Sequence, residues 1–428
     1  MRVSRLLFSL FLVFCLAAPA SAAPGDGLFP DVAGHWAAEP VNFLGALEIV
    51  KGYPDGTFRP ERALTGVETV VLFLRATEHA PARGGKTTLP VPPEAAWAAA
   101  ELAVAVKEGL LREQDLTPRV LLNPAPRAFV WQMLARSMKV PPAEVDLPYR
   151  DAHEIPPDAL PAARTLLAHG LLQGFPDGTL RPLSPVTRAE MAAFVAGMVE
   201  GGWLNPLPAR RLDGWVSAVK KDKDTYKITL NTPGEGSREY ALAPNCGLFN
   251  LRPPTPHALH NLRARVVLDR GKKVVFIRAG EPRTLPRATD TVTATVEKVI
   301  RGREYQVTVR DLNHELRTYS TNWATAVPGG LAKMKPGQWV RLVALGKTAW
   351  EINPLKVEKV SGTIKSIDGH RIRLDKEHKT LGDTFEYWDR ARLSDKDGDR
   401  YSGPLQVGRS IEIICLNAYT LLEIRVTK

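Results

Sequence analysis

Three segments in the first half of this 428-residue chain share one frame, and that frame constrains the fold more than any other feature. Ile49, Leu110 and Leu171 stand 61 residues apart, and sixteen residues after each comes the start of an amphipathic helix. Those starts read Thr65-Gly66-Val67-Glu68, Pro126-Arg127-Ala128-Phe129 and Thr187-Arg188-Ala189-Glu190. The first and third copies also carry near-identical loops, GlyTyrProAspGlyThrPheArgPro at 52–60 and GlyPheProAspGlyThrLeuArgPro at 174–182. A short helical repeat cannot bury its apolar face alone, so repetition at a fixed period implies copies stacked on a shared core.

Local chemistry explains much of the motif. Thr65 with Glu68, and Thr187 with Glu190, have capping-box spacing, in which the hydroxyl accepts the third helical amide and the carboxylate returns to the cap's own amide. These four residues are therefore expected as structural helix caps. Val67, Val70, Val71 and Leu74, like Met191, Phe194, Val195 and Met198, recur at helical spacing, which sends one face to a core. ProAspGly is turn chemistry, with Pro setting φ and Gly accepting positive φ. The second copy is eroded: it lacks that turn, replaces Glu with Phe129 and starts its helix at Pro126. Asn123 as cap with Pro124 at the first helical position is an alternative start. Yet Trp97 lies 13 residues before Leu110, as Trp36 lies 13 before Ile49, so the packing frame outlasts the motif.

These residues resemble the S-layer homology family over roughly residues 28 to 202. The first copy opens PheProAspVal at 29–32 and continues through His35-Trp36-Ala37, while the third opens Tyr149-Arg150-Asp151-Ala152 and keeps ThrArgAlaGlu at 187–190. The resemblance implies a three-pronged helical unit with ligand grooves between neighbouring copies. It also implies non-covalent attachment to a bacterial cell wall, often through a pyruvylated secondary wall polysaccharide. On that reading Arg188, Arg127, Asp31, Trp36, Asp151 and Trp97 contact the wall polymer. For Arg188 the plain alternative is a solvated surface charge, but a planar donor fork suits carboxylates and ketal-linked acids. Its loss is expected to weaken wall binding more than folding. Arg127 holds the matching place in the second copy, whereas Gly66 stands there in the first.

The N-terminus reads as a secretory signal peptide over residues 1–22. Arg2 and Arg5 supply the charge, Leu6 to Leu16 the apolar stretch and Ala20-Ser21-Ala22 the cleavage site. The apolar run is too short to span a bilayer, and no later segment approaches about 20 apolar residues. The exported chain then keeps only Cys246 and Cys415, far apart in sequence and expected as two buried free thiols rather than a disulfide scaffold. Charge divides unevenly: residues 203–428 hold 39 Lys and Arg against 25 Asp and Glu, while residues 1–202 hold 18 against 21. Recognition of a wall polymer by the repeats must therefore come from local Arg placement, and only the second half could attract anionic polymers at long range.

Beyond Gly201-Gly202 the pattern becomes β. Tyr226–Leu230, Tyr305–Val309 and Arg371–Leu374 alternate apolar and polar residues, the period of half-buried strands. Each follows a short apolar pair (Val216/Val219, Val296/Val299, Ile364/Ile367). Each unit then closes with a strand pair: Arg265–Leu268 with Val274–Arg278, Val340–Val343 with Trp350–Ile352, and Ile411–Ile414 with Leu421–Val426. The expected class is multidomain α plus all-β: repeats at 28–80, 89–141 and 147–202, then small antiparallel barrel-like modules at 210–281, 288–355 and 357–428. Five or so short strands per module suit oligonucleotide/oligosaccharide-binding or SH3-like barrels.

Catalytic signals are thin. His257 and His260 have no third ligand in sight, and no nucleophile elbow, zinc-protease motif or phosphate loop is present. Asp395, Asp397 and Asp399 have a calcium-loop flavour, but Gly398 is fourth rather than sixth and Gln406 stands where Glu is needed, so a solvated hairpin tip is the better reading. Trp215, Trp323, Trp339, Trp350 and Trp388 lie among Lys and Arg, a pairing that suits either sugars and bases or barrel cores. The expectation is a non-catalytic, wall-anchored surface protein with no cofactor, whose β modules form or bind envelope material, self-assembly into an S-layer included. The rivals are an anchored wall-glycan enzyme and a binder of anionic polymers or nucleic acid.

Overall fold

The computed structural model describes residues 27–77, 88–284, 286, 289–302, 304–387 and 391–428. The signal peptide and Trp388 lie outside the described residues. Within them no helix is long and apolar enough to cross a membrane.

Each repeat contributes a first and a second helix. Copy one has α1 (Ala38–Ala46) and α2 (Gly66–Leu74), and copy two has α3 (Ala99–Lys107), a short α4 (Pro118–Leu121) and α5 (Arg127–Met138). Copy three has α6 (Leu160–Ala168) and α7 (Arg188–Glu200). The second helix of each copy packs on the first helix of the next: α2 on α3, α5 on α6, α7 on α1. The three prongs are thus shared between copies, and one apolar core runs through all of them.

Capping boxes open α2 and α7. Thr65 N donates to Glu68 Oε2 at 3.0 Å, and Thr187 N to Glu190 Oε2 at 2.9 Å. Copy two starts α5 at Arg127 behind Pro126, with no side-chain cap. The Asn123 start is not used, because Asn123 closes α4 by donating to the Arg119 carbonyl at 3.0 Å. What replaces the missing cap is a neighbour's backbone. Arg127 N donates to Ser184 O at 3.0 Å and Ala128 N to Pro182 O at 3.0 Å, satisfying amides that a helix start leaves without partners. Arg188 N to Arg62 O (2.9 Å) and Gly66 N to Asn123 O (3.1 Å) are the same bond at the other two junctions.

Two residues earlier in each junction segment the copies form a ring. Leu64 N donates to Val186 O at 3.0 Å, Val186 N to Ala125 O at 2.8 Å, and Ala125 N to Leu64 O at 2.8 Å. All three side chains are buried, so the ring is a small threefold β-junction at the axis of the unit.

The second half is three modules of related strand order, two of them closed barrels. β1 (Arg211–Asp222), β2 (Thr225–Thr232), β3 (Gly236–Phe249), β4 (Leu262–Leu268) and β5 (Val274–Pro282) close in the order β1-β2-β3-β5-β4. β6 (Asp290–Arg301), β7 (Tyr305–Asp311), β8 (Leu316–Ala326), β9 (Trp339–Leu345) and β10 (Thr348–Pro354) close in the equivalent order. In the third, β11 (Glu358–Asp368), β12 (Arg371–His378), β15 (Ser410–Asn417) and β16 (Thr420–Val426) keep their places. The third strand is split there into β13 (Gly382–Glu386) and β14 (Arg392–Ser394), giving an open six-stranded sheet. The sequence implied antiparallel pairing throughout. The structure instead has one parallel pair in each module: β3 with β5, β8 with β10, β14 with β16. That order and parallel closure are those of the oligonucleotide/oligosaccharide-binding barrel rather than the SH3-like one.

The modules are joined through side chains. Phe276 of the first barrel stacks on Phe249 at 5.2 Å and meets Phe43 of α1 at 5.4 Å, and it belongs to the helical core. Arg278 pairs with Glu39 and Glu200, and Arg210 reaches Glu48 at 2.8 Å. Between the first two barrels Arg263 lies over Trp323 (5.2 Å) and Arg283 over Trp215 (4.5 Å). Between the second barrel and the third sheet Arg392 lies over Trp339 at 4.8 Å. Trp215, Trp323 and Trp339 therefore work as joints, with a guanidinium where a sugar or base would stack. Cys246 and Cys415 are buried free thiols in different modules; burial raises both pKa values, Cys415 to about 11.

Candidate functional site: two grooves on the helical unit

The threefold arrangement of the repeats creates three equivalent positions, and two of them are open grooves. The larger, about 740 Å³, runs between copies two and three. Copy three supplies the Gly170–Pro176 segment and one face of α7, copy two supplies Arg127 and Trp131, and copy one supplies Trp36 and Glu61. The smaller, about 180 Å³, is its counterpart one step round the axis. Copy one supplies Lys51 and α2, copy three supplies Arg188, and copy two supplies Trp97. Arg75, just after α2, lines it at the place that Gly197 holds in α7.

Both grooves repeat one constellation. Phe175 is flanked by Arg181 at 4.0 Å and Arg127 at 4.9 Å; Tyr53 is flanked by Arg59 at 4.0 Å and Arg188 at 5.1 Å. The outer Arg of each pair is held by the ProAspGly turn, Arg181 on Asp177 Oδ2 at 2.7 Å and Arg59 on Asp55 Oδ2 at 2.9 Å. Bonds from Thr179 and from Thr57, with help from the Arg, hold both carboxyls down at about 2.

The cap glutamates have a second task. With one oxygen on the helix start, Glu190 turns the other to Arg127, and Glu68 turns its Oε1 to Arg62 at 2.9 Å. Each thus caps a helix and lines a groove, where the sequence assigned the cap alone. Trp36 and Trp97 stand at the rims, 62% and 60% exposed. Trp131 lies deeper in the large groove, and its buried indole N–H has no acceptor among the described residues.

Three sequence-based assignments change. Asp31 and Asp151 do not face the grooves' open side; each carboxylate clamps the loop from behind. Asp31 accepts Phe58 N at 2.8 Å and Arg59 N at 2.7 Å, and Asp151 accepts Leu180 N at 2.8 Å and Arg181 N at 2.7 Å. Arg188 is half-buried rather than a solvated surface charge, and it lines the small groove while bracing two copies. Its Nε donates to Phe58 O at 2.8 Å and its Nη2 to Lys51 O at 2.9 Å, lashing copy three to copy one. Gly66 is required by close approach, because a Cβ there would stand 2.1 Å from the Val120 carbonyl oxygen.

The third position is filled. Gly66, Phe129 and Asp158 stand where the other two carry Arg, Glu and Trp. Asp115 sits there between Arg112 (3.0 Å) and Arg136 (3.9 Å), with Asp158 at 3.8 Å from Arg112. The residues missed by sequence reading are Phe175, Arg181 and Trp131 in the large groove and Tyr53 and Arg59 beside the small one. For all but Trp131 the near-identity of the loops at 52–60 and 174–182 was the signal, read only as turn chemistry.

Residues 28–68 and 148–192 match the S-layer homology domain. The match leaves out the middle copy, which nevertheless folds into the same pair of helices. Over 70 residues the chain is 41% identical to Cell surface glycoprotein 1 of Acetivibrio thermocellus, covering 16% of this chain and 3% of that one. It is 37% identical over 76 residues to the Cellulosome-anchoring protein of the same organism, covering 18% and 17%. Against Outer membrane protein SlpA of Thermus thermophilus it is 50% identical over 58 residues, covering 13% and 6%. The chain thus spans 3–17% of the length of these relatives. The S-layer homology domains place it at the cell surface.

Proposed function

We propose that the two open grooves hold an acidic wall polysaccharide, of the pyruvylated kind, and that the chain is a non-catalytic anchor whose barrels project from the wall. The observation that carries this is the repetition of one constellation in both grooves: two guanidiniums flanking an aromatic ring, a cap carboxylate and a rim Trp contributed by a third segment. Guanidinium forks recognise carboxylates, and an exposed indole offers a flat face to a sugar ring. Relatives named for anchoring and for the cell surface support the same reading.

Co-sedimentation of the full chain with purified walls tests it. Trp36 is largely exposed, so Trp36→Ala should leave thermal stability unchanged while weakening wall affinity by roughly 3- to 10-fold. Arg127→Lys keeps the charge but loses the fork, and should weaken binding by about tenfold. Parent-like sedimentation by both variants would remove the large groove from the binding surface.

A further inference from the structure

The first helix of every copy is followed by a residue in the left-handed region, and copy one breaks the residue pattern there. Gly109 follows α3 at φ +72° and Gly170 follows α6 at φ +68°, while the equivalent position after α1 is Glu48 at φ +60°. Glycine adopts that conformation without steric cost and is the usual residue just past a helix C-terminus; a glutamate there is strained. Strain of this kind persists where the surroundings hold it, so its cause should be found in what the side chain touches.

What Glu48 touches is the first barrel. Arg210, just before β1, donates from Nη1 to Glu48 Oε1 at 2.8 Å and from Nη2 to the Ala46 carbonyl at 2.8 Å, with its Nε on the Leu268 carbonyl of β4 at 2.5 Å. Arg270, in the β4–β5 turn, donates from Nη2 to Glu48 Oε2 at 2.6 Å and from Nε to Oε1 at 3.2 Å. Both carboxylate oxygens are thus taken by barrel guanidiniums; the Arg270 bonds first, and Arg210 second, hold the carboxyl below the usual carboxylate range. A glycine would offer neither Arg an anchor. The same barrel sends Phe276 into the helical core and Arg278 to Glu39 of α1 and Glu200 of α7, the two helices that meet where the ring of copies closes. Just beyond Glu48 begins the small groove. Val50 and Lys51 line it, and the Lys51 carbonyl is the one that accepts from Arg188. In the large groove the matching segment starts at Gly170, and every lining residue belongs to the repeats.

We infer that Glu48 is the docking residue for the first barrel, and that the barrel's grip on it through Arg210 and Arg270 positions the 48–51 segment of the small groove. The two grooves then differ in kind. The large one is set by the repeats, whereas the small one is set jointly by the repeats and the first barrel, so the wall-binding unit runs on through β5. The positioning role rests on the wall-binding proposal; the docking role does not.

Two measurements on the full chain separate these roles. The first is amide hydrogen exchange read by mass spectrometry. The Arg270 side chain is 83% exposed, so Arg270→Gln keeps the fold. Arg270→Gln and Glu48→Gln should each speed exchange across 44–53 by about two- to fivefold, the size expected of an ion pair at a surface. The matching segments 105–114 and 166–175 should exchange as in the parent, and the double variant should add little to either single one, because both remove one interaction. Parent-like exchange at 44–53, an equal rise in all three copies, or fully additive effects would overturn the docking role. The second is wall co-sedimentation in an Arg127→Lys background, where the large groove is weakened. Adding Arg270→Gln, which alters no groove residue, should lower the remaining affinity by about two- to fivefold. Faster exchange at 44–53 with unchanged wall affinity would overturn the positioning role. If Trp36→Ala and Arg127→Lys sediment as the parent does, the wall-binding proposal fails, and the exchange result still decides whether Glu48 docks the barrel.

Discussion

Replacing Arg188 with Ala separates a brace from a ligand contact. The side chain makes two charge-assisted bonds to carbonyls of copy one, at 2.8 and 2.9 Å, and lies 4.4 Å over the Phe58 ring. Hydrogen bonds to charged groups contribute about 1.5–3 kcal/mol each when buried. The Lys51 carbonyl is at the surface and regains water on loss of its partner, so that bond counts at the low end or below. The Phe58 side chain is fully buried, so its bond counts nearer the full value. The sum is about 2–4 kcal/mol, which lowers the Tm of a unit this size by roughly 5–15 °C. Helix circular dichroism on heating the full chain reads this transition, because nearly all α-helix lies in the repeats. Arg188→Lys keeps the charge but not the two-pronged reach and should recover less than half of the loss. A melt for Arg188→Ala that overlays the parent, with wall binding lost, would refute the brace and restore the solvent-facing ligand role the sequence implied.

Three shorter expectations follow from the same geometry. Gly66→Ala drives a methyl into the Val120 carbonyl at 2.1 Å and should cost about 1–3 kcal/mol by chemical denaturation; Gly66→Arg, which from sequence alone restores a missing fork, should fold worse and gain no wall affinity. Asp177 has its pKa depressed from 3.8 to about 2, so its hold on the ThrLeuArg loop is complete above the ordinary carboxylate range and lost only as pH falls through about 2; a carboxyl titration by NMR with a midpoint near 4 would contradict it. Phe276→Ala removes the ring that the first barrel lends to the helical core and should destabilise that joint by about 3–5 kcal/mol, seen as faster proteolysis between α7 and β1.

The elements were legible because their signals are local. Capping boxes, helical spacing and strand alternation each occupy a few neighbouring residues, and the closing pairs read at 265–278, 340–352 and 411–426 coincide with β4/β5, β9/β10 and β15/β16. The parallel closure was not legible, since it joins strands by topology and leaves no period in either one. The site was half legible for the same reason. Arg188 finds its partners 130 and 137 residues away, and Asp31 finds its amides 27 and 28 residues away, so neither role has a local signature. Trp215, Trp323 and Trp339 do lie beside cations, but nothing in the order of residues says that Arg263, Arg283 and Arg392 arrive from adjoining modules or linkers to cover them.

What looks like an eroded repeat is an eroded groove. Every groove draws its Arg from one copy, its Glu and loop from the next and its Trp from the third, so losses scattered over three segments fall together in space: Gly66 from copy one, Phe129 from copy two, Asp158 from copy three. Copy two itself still serves both open grooves, through Arg127 and Trp131 in one and Trp97 in the other. It also supplies Ala125 to the ring, whose three bonds cannot close with two members. Its second helix borrows its first amide partners from copy three, and copy one's second helix borrows from Asn123 in return. Drift in copy two is therefore free only where the third groove stood, at the Arg112–Asp115–Arg136 cluster that now fills it. The frame survives where the motif does not because the frame carries the other two grooves.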